Sequence, residues 1–156
     1  MKRSTKSDAY RLKFASTPPM PEPRSSRGIT LRLPLPPTAN NLKAIRTLAG
    51  RRAFLVPTTE YNVYKEVVAA AWHKQFGDYH PEPLESRLRV TLVVHQARKG
   101  GDVANREKGV IDALTECGAW KDDEQIDDLH ILRGEVIPGI GAVDLTVEVI
   151  PNGDPT

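Results

Sequence analysis

The sequence predicts an α+β domain in which a mixed or antiparallel sheet carries two main helices. Three observations lead there. Apolar residues alternate along residues 29–33, 87–96 and 142–150, the period of half-buried strands. They recur at helical spacing over residues 58–76 and 103–117. The order is strand, short strand, helix, strand, helix, strand, strand, which places helices on one face of a sheet. A chain of 156 residues with 39% apolar and 27% charged residues suits a single domain with an ordinary core.

Residues 1–27 are polar, basic and interrupted by Pro18, Pro19, Pro21 and Pro23. Such a segment buries too little apolar surface to offset its ordering entropy, so a disordered basic tail is expected ahead of a domain at 28–151. Its Lys2, Arg3, Lys6, Arg11 and Lys13 suit either phosphate contact or solubility. Ile29, Leu31 and Leu33 form the first strand, ended by Pro34, Pro36 and Pro37. Residues 42–52 read as irregular and basic, and Ala53–Val56 as a short extended piece stopped by Pro57.

Thr58 or Thr59 caps the first helix, with Glu60 in its first turn and Gly77 closing it. Val63, Val67, Ala70 and Ala71 form an apolar stripe, widened by Tyr64, Val68 and Trp72. The next strand, Arg87–Gln96, points Leu88, Val90, Leu92 and Val94 to one side. A basic Ala-Arg-Lys-Gly-Gly loop at 97–101 leads to the second helix, which faces Val110, Ala113, Leu114 and Cys117 inward and stops at Gly118. Trp120 is a core anchor beside that helix end. Ile126–Ile137 and Ala142–Ile150 read as strands joined around Pro138, Gly139 and Gly141, and residues 152–156 as a frayed end.

Composition removes several function classes. Cys117 is the only cysteine, so neither an intrachain disulfide nor a cysteine-based zinc site can form. His73, His80, His95 and His130 lack the short pair spacing of a zinc helix. No run approaches the ~20 apolar residues that cross a bilayer, and no secretory segment follows Met1. A cytoplasmic protein with no membrane partner is therefore expected. Charge is uneven: residues 1–27 carry +5, residues 28–100 carry +6, and residues 101–156 carry −9. This suits a polyanion track beside a carboxylate pocket, or two halves whose charges cancel on folding.

The chemistry-bearing stretch is 98–128. Asp102 follows a strand, a basic loop and two glycines, and Lys108 lies six residues on. Asp122, Asp123, Glu124, Asp127 and Asp128 place five carboxylates within seven residues. If the helix between packs back on the sheet, a strand-end and a turn aspartate converge, and hard oxygens so placed suit magnesium. Each residue also has a plain reading. Asp102 stands where a helix cap stands, Lys108 and Asp112 are spaced for a surface ion pair, and 122–128 reads as a solvated turn.

Three segments resemble the RusA family of Holliday junction resolvases, common in bacterial and prophage genomes. Leu33-Pro34-Leu35-Pro36-Pro37-Thr38-Ala39-Asn40-Asn41 is similar to that family's opening strand with its Pro-Pro and Asn motif. Asp102-Val103-Ala104-Asn105, running on to Lys108, resembles its Asp-x-Asp-Asn-x-x-Lys signature. Ile111-Asp112-Ala113-Leu114-Thr115, then Gly118-x-Trp120-x-Asp122-Asp123-x-Gln125, resembles its Asp-Ala-Leu, Gly-x-Trp and Asp-Asp-x-Gln run.

The resemblance implies a homodimer that grips a four-way DNA junction and nicks two opposed strands symmetrically with magnesium, or manganese as a substitute. No small-molecule cofactor is implied. Asp102 and Asp123 correspond to metal-binding aspartates, Lys108 to the catalytic lysine and Asn105 to the motif asparagine. Arg98 and Lys99 beside the site, with Arg51, Arg52, Lys43 and Arg46, are candidate phosphate contacts. The family's third aspartate falls at position 104, where this chain has Ala104. Three readings stay open there: an engineered substitution; a natural variant with water, Asn105 or Asp122 in the vacancy; or a protein that binds branched DNA without cutting it.

Overall fold

The computed structural model describes residues 28–48 and 52–151, together with Asp8, Arg11, Leu12, Ala15 and residues 17–19. Most of the expected tail, Arg51 and the last five residues lie outside the described residues. Of the tail's described groups, Arg11 pairs with Glu66 at 2.8 Å, and the carbonyls of Pro18 and Pro19 accept from Arg32 at 3.1 and 3.3 Å.

The expected α+β architecture is present. Strands β1 (Ile29–Leu33), β4 (Leu88–His95), β5 (Ile126–Arg133) and β6 (Ala142–Val149) form one mixed sheet in the order β1-β6-β4-β5. β6 runs antiparallel to both β1 and β4, while β4 and β5 run parallel. A parallel pair needs a crossover, and helix α2 (Glu107–Glu116) supplies it. The last two strands therefore do not pair with each other, because β4 lies between them.

Helix α1 (Thr59–Lys74) is capped by Thr58, whose Oγ1 accepts from Tyr61 N at 3.2 Å. It buries Tyr61, Val63, Tyr64, Val68 and Trp72, whereas Ala70 is exposed. Val63, Tyr64, Val68 and Trp72 are packed as expected, Tyr61 joins them, and Val67 and Ala71 are half-buried. On β4 the alternation reads as expected: Leu88, Val90, Leu92 and Val94 are all buried. They meet Leu33, Val143, Leu145 and Val147 from neighbouring strands and Val110, Ile111, Ala113 and Leu114 from α2 in one core. Trp120 is fully buried in that core, its Nε1 donating to Thr115 Oγ1 at 2.7 Å.

One expectation needs correction. Residues 43–48 are not irregular: β2 (Lys43–Leu48) pairs antiparallel with β3 (Arg52–Pro57) in a separate two-stranded sheet. Ile45 faces Leu55 across the pair, and both side chains are exposed. The hairpin buries almost nothing of its own, so its apolar alternation gave no core signal to read.

The open face of the main sheet is polar and ion-paired. Arg32 binds Asp144 through two contacts of 2.6 and 2.9 Å, and His95 Nε2 meets the same carboxylate at 2.9 Å. Arg89 pairs with Asp128 at 2.7 Å.

Candidate functional site

The end of β4 builds the first part of the site. Gly100 and Gly101 take φ of +94° and +87°, which a side chain would strain, and they turn the chain out of the sheet. Asp102 then caps a 3₁₀ turn, Val103–Arg106, its Oδ1 accepting from Ala104 N at 3.0 Å. Glu107 N–H donates to the Ala104 carbonyl, and α2 continues from there. The capping role expected for Asp102 is thus met by Oδ1.

The Pro-Pro segment closes on this turn. Pro36 is buried, and its carbonyl accepts from the Arg106 guanidinium. Gly109 permits that approach, since a Cβ there would lie 3.1 Å from Pro36 Cβ. Tyr61 Oη donates to Gly109 O at 3.0 Å, so α1 fixes the same corner. The result is a cleft of about 440 Å³, whose lining includes Thr38, Gln96, Arg98, Asp102, Asn105 and Arg106. A second groove of about 470 Å³ between α1 and α2 contains none of the proposed site residues.

The second part is the turn after α2. Leu84 N donates to Ala119 O at 3.1 Å, and Lys121 N donates back to Leu84 O at 3.2 Å. Buried Gln125 locks the acidic turn from its far end. Its Oε1 accepts from Lys121 N and Asp122 N at 2.9 and 2.8 Å, and its Nε2 donates to Leu84 O and Ser86 O at 2.7 and 2.9 Å. Asp122 caps the 3₁₀ turn Asp123–Gln125 by accepting from Glu124 N at 3.0 Å. Asp127 is held by Arg87, and Asp128 by Arg89 and His130. The acidic run therefore divides, with capping or ion-pair partners for Asp122, Asp127 and Asp128, while Asp123 is hydrogen-bonded to Asp122 and interacts electrostatically with Asp112 and Lys108 of α2.

Electrostatics tie Asp123 to α2. Lys108 Nζ lies 3.0 Å from Asp112, as the spacing anticipated. That hydrogen bond, then the Asp112 charge, raise the lysine pKa; Glu107 and Asp123 add to the rise. Asp123 is pushed up by its hydrogen bond with Asp122, then by burial and by repulsion from Asp122 and Asp112, with Lys108 opposing. Glu107 is pushed up by burial first, then by Asp112 and more weakly by Asp123, with Lys108 opposing. The chain thus gathers Glu107, Lys108, Asp112 and Asp123 into one mutually interacting group.

Of the residues singled out from sequence, Asp102, Asn105 and Arg98 line the cleft, and Lys108 and Asp123 belong to the adjoining charged group. Lys99 is exposed on the loop, Arg52 opens β3 in the hairpin, and Ala104 is exposed on the 3₁₀ turn. Arg51 lies outside the described residues. Sequence reading passed over Gln125 as a positioning residue, Arg106 as the tie to Pro36, and Glu107. Gln125 carried a legible signal, its place in the Asp-Asp-x-Gln run and its capping-box spacing from Asp122.

Among the described residues, no three His, Cys, Asp or Glu side chains form a ready cation cage. The donors nevertheless have suitable chemistry. Asp112 raises the carboxyl pKa of both Asp123 and Glu107, a repulsion that a cation relieves. Magnesium retains several waters and is held by one or two carboxylates. Asp102 and Asp123 carry the hard oxygen donors that such an ion takes.

Comparison with known proteins gives a consistent assignment. The family described as endodeoxyribonuclease RusA matches residues 34–148. The crossover junction endodeoxyribonuclease rusA of Enterobacteria phage HK97 is 40% identical over 57 residues, covering 35% of this chain and 47% of that protein. The Escherichia coli protein of that name is 27% identical over 124 residues, covering 79% of this chain and 96% of its own length. That of Enterobacteria phage 82 is 29% identical over 121 residues, 77% of this chain and 93% of the relative. The family match starts at Pro34, just ahead of the Thr38 that lines the cleft, and runs into β6, taking in Asp102, Lys108 and the Gln125-locked turn, and so the chain belongs to the RusA family of endodeoxyribonucleases.

Proposed function

We propose that this chain is a magnesium-dependent endonuclease that resolves four-way DNA junctions as a homodimer, by paired symmetric nicks. The reading is supported by a cleft lined by Asp102 at the end of β4 and, in the helix that follows, by Lys108, which interacts with Asp123. The relatives' names as crossover junction endodeoxyribonucleases support the substrate class.

Asp102 and Asp123 are the proposed cation-holding acids. Bound magnesium would supply Lewis-acid stabilisation of phosphodiester charge and a more acidic water. Lys108 acts as a fixed cation. Its raised pKa keeps Nζ protonated at neutral pH, so it stabilises charge building on the phosphoryl oxygens and does not remove a proton from water. Asp112 holds Nζ in place. Asn105, on the cleft wall, is suited to a phosphate or sugar contact.

Arg98 and Lys99, with Arg51, Arg52 and the hairpin's Lys43 and Arg46, provide the proposed phosphate contacts. Binding of this kind follows shape and weakens steeply with salt. A four-way junction has two-fold symmetry, and a C2 dimer offers two equal sites to two equal strands. Ala104 favours a second reading, a branched-DNA-binding protein of the same fold that does not cut.

Incubation of the full chain with a labelled synthetic four-way junction separates the two. Cleavage with magnesium, and none with chelator, is expected. Retained junction binding without cleavage in magnesium or manganese supports the second reading.

A further inference from the structure

The β2–β3 hairpin shows large apolar side chains to solvent. Ile45 and Leu55 are directly opposed in its register and stay 71% and 64% exposed. Phe54 is 40% exposed and stands opposite Arg46. Among the described residues no third strand pairs with this ribbon. A two-stranded ribbon without apolar cover is marginal in water, and an exposed apolar patch marks a contact surface.

Charge selects what covers it. Residues 42–57 hold Lys43, Arg46, Arg51 and Arg52 and no Asp or Glu. The core of a protein–protein contact is depleted in charge. Apolar side chains interleaved with cations instead match a nucleic acid, which offers base faces between phosphates. A two-stranded ribbon also has the width that the DNA major groove admits.

The root of the hairpin is fixed on the wall of the cleft. Thr58 N donates to Leu42 O at 3.0 Å, Thr58 Oγ1 donates to Asn41 O at 2.8 Å, and Leu42 is buried. Asn41 Nδ2 donates to Thr38 Oγ1 at 3.0 Å, and Thr38 lines the cleft with Asp102. Ile45 and Leu55 form the third pair from that root, two strand steps or ~7 Å further out.

We propose that Ile45 and Leu55 are an apolar wedge that covers unstacked bases at the branch point of a DNA junction, while the neighbouring cations hold its phosphates. Aliphatic side chains can wedge between base steps, and unstacking costs least where the stack is already interrupted. This rests on the branched-DNA reading above and holds whether or not the strands are cut.

The test uses the full chain in chelator and a four-way junction carrying 2-aminopurine beside its branch point, with a linear duplex for comparison. Wild type is expected to raise the 2-aminopurine fluorescence of the junction. The double variant Ile45→Ser with Leu55→Ser is expected to lose that rise and to bind the junction about tenfold more weakly. Its duplex affinity and the salt slope should stay as in wild type, because an apolar contact releases no counterions. Ile45→Val with Leu55→Ile, which keeps the ribbon apolar, should behave as wild type. Circular dichroism checks folding, and sedimentation the oligomeric state. Unchanged fluorescence and junction affinity in the serine variant would overturn the wedge and leave the junction reading standing. An equal loss on duplex and junction would overturn it too, as would an equal loss in the conservative variant. A serine variant that loses a wild-type dimer would make the pair a subunit contact and overturn the wedge. A wild-type chain that binds junction and duplex alike would remove both this proposal and the branched-DNA reading.

Discussion

Replacing Gln125 by methionine keeps the length and bulk of the side chain and removes its amide. In the native chain that amide serves four backbone groups: Lys121 N, Asp122 N, Leu84 O and Ser86 O. Two have a fallback, because Lys121 N also donates to Leu84 O at 3.2 Å. Asp122 N and Ser86 O lose their contact with the amide. An unsatisfied buried group costs ~1–3 kcal/mol, and water reaches part of this turn, so a loss of about 2–3 kcal/mol is expected. At ~2–4 °C per kcal/mol, the melting temperature falls by about 4–12 °C. Urea unfolding followed by tryptophan fluorescence measures the loss. Gln125→Glu is the control. Its carboxylate still accepts from the two N–H groups but faces two carbonyls, so it is as destabilised at pH 7 and recovers partly at pH 4, where a protonated carboxyl can donate. If Gln125→Met changed stability by less than ~0.5 kcal/mol, the idea that Gln125 holds the turn presenting Asp123 would be refuted.

Lys108→Ala is expected to lower single-turnover junction cleavage by about 100-fold or more while changing stability by less than ~1 kcal/mol, since its partnership with Asp112 is exposed. Equal losses in both would mark Lys108 as structural. Asp144 is opposed by burial, yet the Arg32 and His95 hydrogen bonds hold its carboxyl below the ordinary range. Its contribution is therefore full above the unfolded pKa of ~3.9 and is lost as pH falls through the lower folded value. Asp144→Asn should cost about 2 kcal/mol at pH 7 and flatten the stability profile between pH 5 and 2; an unaltered slope would contradict this. Arg46→Ala and Arg52→Ala, on the exposed hairpin, should each reduce the slope of log affinity against log salt by about one, measured by anisotropy on a labelled junction. An unchanged slope would remove the hairpin from the DNA surface.

The parts of the fold that bury apolar surface were the legible parts. Leu88, Val90, Leu92 and Val94 alternate because one face of β4 lies in the core, and that alternation is visible in sequence. The β2–β3 hairpin was missed because Ile45 and Leu55 remain exposed, leaving basic residues and short apolar runs as the only signal. The α1 stripe was legible through Val63, Tyr64, Val68 and Trp72; Tyr61 was passed over, and Ala70 could stay outside at little cost. The candidate residues Asp102 and Lys108 stand out in sequence from motif spacing. The division of labour among the acidic residues does not, since the partners Arg87, Arg89 and Gln125 come into register only when β4 and β5 pair.

The most direct measurement is strand cleavage of a four-way junction by the full chain in magnesium, read on a denaturing gel beside the Asp123→Asn variant. Paired nicks at symmetric positions are expected with wild type, and binding without nicks in the variant. Undiminished nicking by Asp123→Asn, or a wild-type chain that grips the junction and leaves every strand whole in both magnesium and manganese, would contradict the proposed hydrolytic role.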